Sequence, residues 1–560
     1  MADGGGADAI ACTAGVPTIQ WSAVSTPRFI QTAAMRLHLN RPASVCLAIS
    51  LACSALAVSG APPDAASPTR PNIVYIMADD LGCGDLSCYN PASAWRTPRL
   101  DRLAGEGTLF TDGHSASSVC TPSRYALMTG RYSWRGRLKE HTLVGYSASL
   151  IEPERLTIAE FLRSKGYTTA IFGKWHLGVD WKRTGPNPED VDFSQPFNGG
   201  PLAHGFDRFL GISASLDMPP YVWLAQDRVV TVPTGQIKDS PKPKFWRGGP
   251  ISADFTMEGV DPKLIDTAAQ YLTEQVAAPD RRPFFLYVPL AAPHTPIVPT
   301  AEFIRCTHTT EYGDFVAQVD ADVGRLLDVL DSTGLANNTI VIFTADNGFA
   351  SAANLPALLA LGHDPSAGLR GYKSDLYEGG NRVPFIVRWP GRTPAGRRSD
   401  ALVCQADLLA TCADLFDATL PPDAAEDSVS MLPLLRGESR GARESCVAHS
   451  AEGRFAIRQG RWKLLLWPGS GGWSPPTPSP SKWLNAPKAD LSELPPFQLY
   501  DLEADPTETK NLVAEHPKIV ESLGRLLRLQ IDSGRSTPGV PQPVDLSDWP
   551  QVSWRERFAP

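Results

Sequence analysis

Four short runs of β-branched and aromatic residues, each followed by groups that can ionise or bind a metal, constrain this 560-residue chain more than any other feature. They span Pro71 to Met77, Thr168 to Phe172, Phe284 to Leu290 and Thr339 to Thr344. Their apolar residues run on without alternating with polar ones, the pattern of strands covered on both faces in a parallel sheet. Amphipathic helical segments stand between them, from Thr157 to Lys165, Asp261 to Val276 and Tyr312 to Ser332. In the last of these Phe315, Val319, Val323, Leu326, Leu327 and Leu330 keep helical spacing. Strands alternating with helices predict an α/β fold with a parallel-type sheet.

In such sheets ligands bind beyond the carboxyl ends of the strands. Here the first strand is followed by Asp79 and Asp80, the second by Lys174 and His176, the third by His294, and the fourth by Asp346 and Asn347. One lysine or histidine after a strand is ordinarily solvated or structural; four such ends on one sheet edge point to a site. Two adjacent carboxylates in a strand would face opposite sides, so both reach one ligand only where the pleat breaks. Gly82 and Gly84 allow such a break, and a hard cation such as Ca²⁺ rewards it with several carboxylate oxygens. A glycine-rich segment, Leu369 to Gly380, leads into Val383 to Gly391 and offers Lys373 as an anion contact.

Residues 120 to 131 form a further candidate. Pro122 suits the first position of a helix, Ala126, Leu127 and Met128 continue it, and Gly130 can stop it. Cys120 then lies just ahead of a helix N-terminus that favours an anion, with Arg124 one turn on. These residues alone leave two readings open: a low-pKa thiolate nucleophile or a small buried hydrophobe.

Hydrophobic residues at 42% and charged residues at 20% describe an ordinary globular protein, long enough for two domains. The net charge of −8 comes without a block of like charges, which leaves no nucleic-acid face. An anionic substrate would need a local basic pocket. Near the N-terminus, Met35-Arg36 and Arg41 precede an apolar run from Ala43 to Val58 that ends in small residues. Residues 1–60 therefore read as a leader with a secretory signal peptide at 35–60. The run is short for a membrane span, so the mature chain is expected to be exported, periplasmic or secreted, with no span. Export permits disulfides, although Cys83, Cys88, Cys306, Cys404, Cys412 and Cys446 match no zinc spacing and all six can be free.

A catalytic domain is expected over 71–435, a smaller α+β subdomain over 436–535 and coil over 536–560. In the subdomain, Phe455 to Arg458 and Arg461 to Leu466 read as a hairpin around Gln459-Gly460. Residues 468 to 497 read as a long Pro- and Trp-containing loop, Leu499 to Leu502 as a strand, and His516 to Ser533 as an amphipathic helix.

The string Cys-x-Pro-Ser-Arg followed by Leu-x-Thr-Gly-Arg resembles the signature of type I, formylglycine-dependent sulfatases, with Met128 where leucine is usual. Thr97 to Ala104, His204 to Asp207 and Tyr500 to Pro506 are similar to further blocks of that family. The resemblance leans towards the arylsulfatase and N-acetylgalactosamine-6-sulfatase branch. It implies the alkaline-phosphatase-like sulfatase fold: a large mixed, mostly parallel sheet flanked by helices, with a smaller C-terminal α+β subdomain. It also implies that Cys120 is converted to Cα-formylglycine (3-oxoalanine) by a formylglycine-generating or anaerobic maturation enzyme. One Ca²⁺ per chain would be held by Asp79, Asp80, Asp346 and Asn347 together with the modified Cys120. Arg124, Lys174, His176, His294 and Lys373 would complete the catalytic set, with His294 protonating the leaving alcohol and His176 acting as base.

The implied reaction is hydrolysis of a sulfate monoester on a sulfated carbohydrate or an aryl sulfate. Phosphate- or phosphonate-monoester hydrolysis and non-catalytic glycan binding are the alternatives. Gly211 to Tyr221, with Asp217 as a sugar-hydroxyl partner, and the stretch around Trp473 are the expected rim.

Overall fold

Alternate side chains of the strand Asn72–Ala78 enter two different apolar layers. Val74, Ile76 and Ala78 join one layer; Ile73, Tyr75 and Met77 join the other. A run apolar at every position is thereby explained, because both faces of this strand are covered. The computed structural model describes residues 70 to 559 apart from 243, 440 and 442. The expected leader and signal peptide lie outside the described residues.

Among the described residues the main sheet has ten strands. Thr339–Ala345, Asn72–Ala78, Phe284–Pro289, Thr168–Lys174 and Arg208–Ile212 lie side by side in that order, all parallel. Short strands extend both edges, and Phe385–Arg388 pairs antiparallel with Thr339–Ala345. The large mixed, mostly parallel sheet expected from the sequence is what is observed. The first strand pairs from Asn72 with Thr339 to Ala78 with Ala345. Asp79 and Asp346 therefore leave the same edge as neighbours.

Helices cover both faces. Pro98–Glu106, Val260–Ala277 and Glu311–Ser332 supply one layer, and Cys120–Thr129, Ile158–Ser164 and Leu408–Leu415 the other. Phe315, Val319, Val323, Leu326, Leu327 and Leu330 are all buried on the long helix, as their spacing predicts. Each such side chain contributes about 1.5–3 kcal/mol on removal from water. Thr157 caps its helix by accepting from the Glu160 N–H, while Glu160 accepts from the Thr157 N–H.

A separate antiparallel sheet forms near the C-terminus from Ser445–His449, Phe455–Gln459, Trp462–Leu465 and Gln498–Asp501. The helix Pro517–Asp532 packs its Val520, Leu523 and Leu527 into that sheet's apolar cluster. In the hairpin Gln459 pairs with Trp462, so the turn is Gly460-Arg461, one residue later than the sequence suggested. Gly460 takes the positive φ, 56°, that a two-residue turn demands of its first residue. Within the segment read as coil, Pro550–Phe558 winds into a 3₁₀ helix, with Phe558 against Gly524 of the last α-helix. No disulfide joins two described cysteines, and no helix of the described residues is long and apolar enough to cross a membrane.

Candidate active site

The pleat breaks at Asp80 itself, not at the glycines. Asp80 has φ 65°, a left-handed conformation that Asp tolerates better than most residues. Its N–H donates to Asp346 Oδ1 at 3.2 Å. That turn lets Asp79 and Asp80 present their carboxylates to one place. Gly82 and Gly84 instead admit a neighbouring loop, since a Cβ on either would meet Pro365 O at 2.1 Å or Asp364 O at 1.9 Å.

Asp79, Asp80, Asp346 and Asn347 converge as the first and fourth strand ends require. Asp79 and Asp346 group with Cys120, and Asp79 and Asp80 with His294, their ligand atoms within 4.8 Å of one another. Asn347 Nδ2 donates to Asp80 Oδ1 at 2.8 Å and to Gly348 O at 2.9 Å. Asn347 Oδ1 and Asp79 Oδ1 are buried and accept no hydrogen bond. Two orphaned acceptor oxygens beside two further carboxylates fit a hard cation. The charges agree. Burial and the charge of Asp79 raise the Asp346 pKa against the pull of Arg124. Asp79 is lowered, because Lys174, His294 and Arg124 outweigh its burial.

Cys120 is the first residue of its helix, with Val119 as N-cap and Pro122 third, slightly inside the expected start. All ten residues of this helix are buried, and Gly130 ends it at φ 65°. Cys120 is 2% exposed, and burial raises its thiol pKa despite Lys174 and Lys373 nearby. That disposes of the low-pKa thiolate reading. Arg124 points back as expected: Nη1 donates to Lys174 O at 3.0 Å, while Nε and Nη2 reach Asp346 Oδ2.

Lys174 Nζ is hydrogen-bonded to Asp79 Oδ2. Lys373 Nζ lies 2.7 Å from Asp80 Oδ1 and 2.8 Å from its Oδ2. His294 Nε2 stands 3.5 Å from Asp80 Oδ2, while its Nδ1 is tied to Thr295 O at 2.5 Å. His176 Nε2 bonds Leu143 O at 2.8 Å, and its Nδ1 is buried without a partner. Burial, then Lys174, holds the His176 pKa well below the usual imidazole range. The residues singled out at the strand ends, on the helix and in the glycine segment thus fall within one cluster.

A cavity of about 220 Å³ opens onto Asp80, Cys120, His294 and Lys373. Lys174, His176 and Arg124 are not among its lining residues and are nearly inaccessible. Both expected rim elements reach it, through Asp217 and Met218 and through Trp473. Asp217 is already paired: its Oδ2 accepts from Arg247 at 2.7 Å, which leaves Oδ1 buried and without a partner. The sequence reading missed Phe245, Arg247, Lys482 and Trp483, which also line the cavity. A signal was present in the basic and aromatic run Lys242 to Arg247, a composition suited to an anionic ligand.

Comparison with known proteins shows the family. The family described as Sulfatase matches residues 71–418. N-acetylgalactosamine-6-O-sulfatase of Bacteroides thetaiotaomicron is 35% identical over 499 residues, 82% of this chain and 92% of that protein. Human (Homo sapiens) arylsulfatase A is 35% identical over 480 residues, 83% of this chain and 88% of its own. A solved B. thetaiotaomicron structure described under metabolism of multiple glycosaminoglycans superposes with a TM-score of 0.71 at 34% identity, covering 82% of this chain and 99% of that one. The chain belongs to the sulfatase family. It is a sulfuric ester hydrolase.

Proposed function

We propose that this enzyme removes sulfate from a sulfated carbohydrate, with Cys120 matured to formylglycine and one Ca²⁺ held by Asp79, Asp80, Asp346 and Asn347. The observation that carries the reading is the pair of partnerless buried oxygens, Asp79 Oδ1 and Asn347 Oδ1, grouped with acids that also approach Cys120. Relatives named for N-acetylgalactosamine-6-sulfate esters support the choice of a sugar. When present, the metal and the hydrated aldehyde supply a nucleophilic hydroxyl, a positive charge for the sulfate oxygens and a route for sulfate to leave.

The chain's own groups have separable roles. Lys373 lines the cavity and holds positive charge where the sulfate oxygens gather, and the enclosed Lys174, bonded to Asp79, adds to that field. Arg124 fixes Asp346 and the end of the Lys174 strand in mutual register. His294 lines the cavity and, with Nδ1 tied to Thr295 O, uses Nε2 to donate a proton to the departing alcohol oxygen. His176, with its free Nδ1 acceptor, takes a proton on the other side of the cycle. Export with loss of the leader 1–60, through the signal peptide at 35–60, belongs to the same proposal, and N-terminal sequencing of secreted protein tests it.

The test is Cys120→Ala, with protein made without a maturation enzyme alongside it. Each should lose sulfate-ester hydrolysis, and mass spectrometry of active protein should show the aldehyde at Cys120. Activity retained in either preparation refutes the proposal.

A further inference from the structure

The floor of the cavity accounts for one anion, the sulfate. Its mouth carries positive charge that the floor does not use. Lys482 Nζ sits 3.6 Å from the centre of the Phe245 ring, and Lys242 Nζ sits 4.7 Å from that of Trp483. The two rings meet edge to face, 5.9 Å apart at 90°. The Arg247 guanidinium also lies over Phe245, 5.3 Å from the ring centre, but Asp217 neutralises it at 2.7 Å. Neither Lys482 nor Lys242 has a salt-bridge partner among the described residues. Ring faces hold such ammonium groups in place without cancelling their charge. Lys482 feels the crowding: burial, then Arg247, depresses its pKa, Asp217 offsets part of this, and Lys242 adds a smaller push down.

The arrangement is fixed in place on both sides. Tyr221 Oη donates to Arg247 O at 2.7 Å, and the Arg247 N–H donates to Asp217 O at 3.1 Å. Across the mouth, Ser481 Oγ meets Ser351 Oγ at 2.6 Å, and the Ser481 N–H donates to Trp473 O at 3.0 Å. A chain whose net charge is −8 thus keeps Lys482, without a salt-bridge partner among the described residues, on the wall of the cavity that ends at Cys120, and Lys242 beside it over the cavity-lining Trp483. Positive charge concentrated at the mouth of a cleft steers and selects anionic ligands.

We propose that this mouth is a second-anion subsite: the substrate is a sulfated sugar whose neighbouring unit bears a further anionic group, a carboxylate or a second sulfate. That group seats on Lys482 and Lys242, while the neighbouring ring packs on Phe245 and Trp483 and a hydroxyl reaches Asp217 Oδ1. The inference rests on the reading of the floor as a sulfated-sugar hydrolase and adds what stands next to the scissile ester.

The experiment compares kcat/KM for three 6-O-sulfated disaccharides, whose neighbouring unit is neutral, a uronate or itself sulfated, with a simple aryl sulfate as reference. The anionic neighbours should be preferred, and the preference should shrink as NaCl rises from low to physiological ionic strength. In Lys242→Gln/Lys482→Gln protein the ratio of anionic to neutral disaccharide should fall roughly tenfold, the sum of two partly exposed ion pairs. Preference for the uronate or for the second sulfate identifies the source of the charge, and either supports the subsite. Cleavage of the aryl sulfate and all disaccharides with no preference, or a preference the double variant leaves intact, overturns the subsite alone. Inertness towards every sulfate overturns the reading of the floor and the subsite with it.

Discussion

Arg124 donates through both Nε and Nη2 to a single oxygen of Asp346, Oδ2, at 3.0 and 2.8 Å. Oδ1 is left to the N–H of Asp80 at 3.2 Å. One guanidinium thereby orients a carboxylate that in turn holds the backbone turn carrying a second one. Arg124→Lys keeps the charge but not the fork, so kcat/KM should fall at least a hundredfold with the fold retained. Arg124→Ala strands a buried carboxylate at a cost of about 3–5 kcal/mol. Steady-state kinetics and urea unfolding separate the two effects.

Chelation should destabilise the active protein. Without a cation, burial and then the charge of Asp79 lift the Asp346 pKa above its usual range. A raised carboxyl pKa contributes stability below the usual carboxylate range that is lost as pH rises through the raised value, so the deficit of chelated protein should widen across that window and then level off. A site at about 100 times its Kd contributes about 2.7 kcal/mol. Calorimetry with chelator, and again after Ca²⁺ is restored, measures it; an unchanged Tm would count against the metal.

Acid should loosen the fold through two buried imidazoles. Burial lowers His204 and His449 to a pKa of about 4, against about 6.5 in an unfolded chain. Their contribution is complete above about pH 6.5 and lost as pH falls through about 4, on the order of 3 kcal/mol each. His204→Phe keeps a ring facing Trp175, now at 6.2 Å and 19°, and removes one titration. Its Tm should fall less between pH 7 and pH 4.5 than that of the parent.

Lys463 joins the C-terminal sheet to the main body, with Nζ 2.8 Å from Glu378 Oε1 and 3.0 Å from Glu508 Oε1. Burial works against the Glu508 charge and, with Glu378 adding to it, lifts its pKa to about 7 even with Lys463 beside it. Lys463→Met should cost about 3–5 kcal/mol in urea unfolding, and Glu508→Gln in the same chain should return part of it.

Much of this site was legible because periodicity reports burial. Every residue of Asn72–Ala78 is buried, so the run read as a strand and its end could be placed. The gathering of Asp79, Lys174, His294 and Asp346 at one edge followed from their positions after such runs. What failed to show was non-local. The break at Asp80 depends on an acceptor from Asp346, far along the chain, so the nearby glycines took the credit. The Cys120 thiol looked activatable beside a helix N-terminus, but burial at the cavity floor outweighs that dipole. The mouth was hidden because Phe245 and Trp483 meet only after folding, and neither segment has a period to read.

Asp375 accepts from the N–H groups of Tyr372, Trp473 and Ser474, two residues along from Lys373. A Cβ on Gly472 would strike Ser374 O at 2.2 Å, so the two segments run in direct backbone contact. The proposed rim and the proposed sulfate contact are therefore mechanically geared together here. Anyone swapping the tryptophan-bearing loop to retarget this enzyme would also shift the ammonium at position 373, and would have to transplant both halves of the joint.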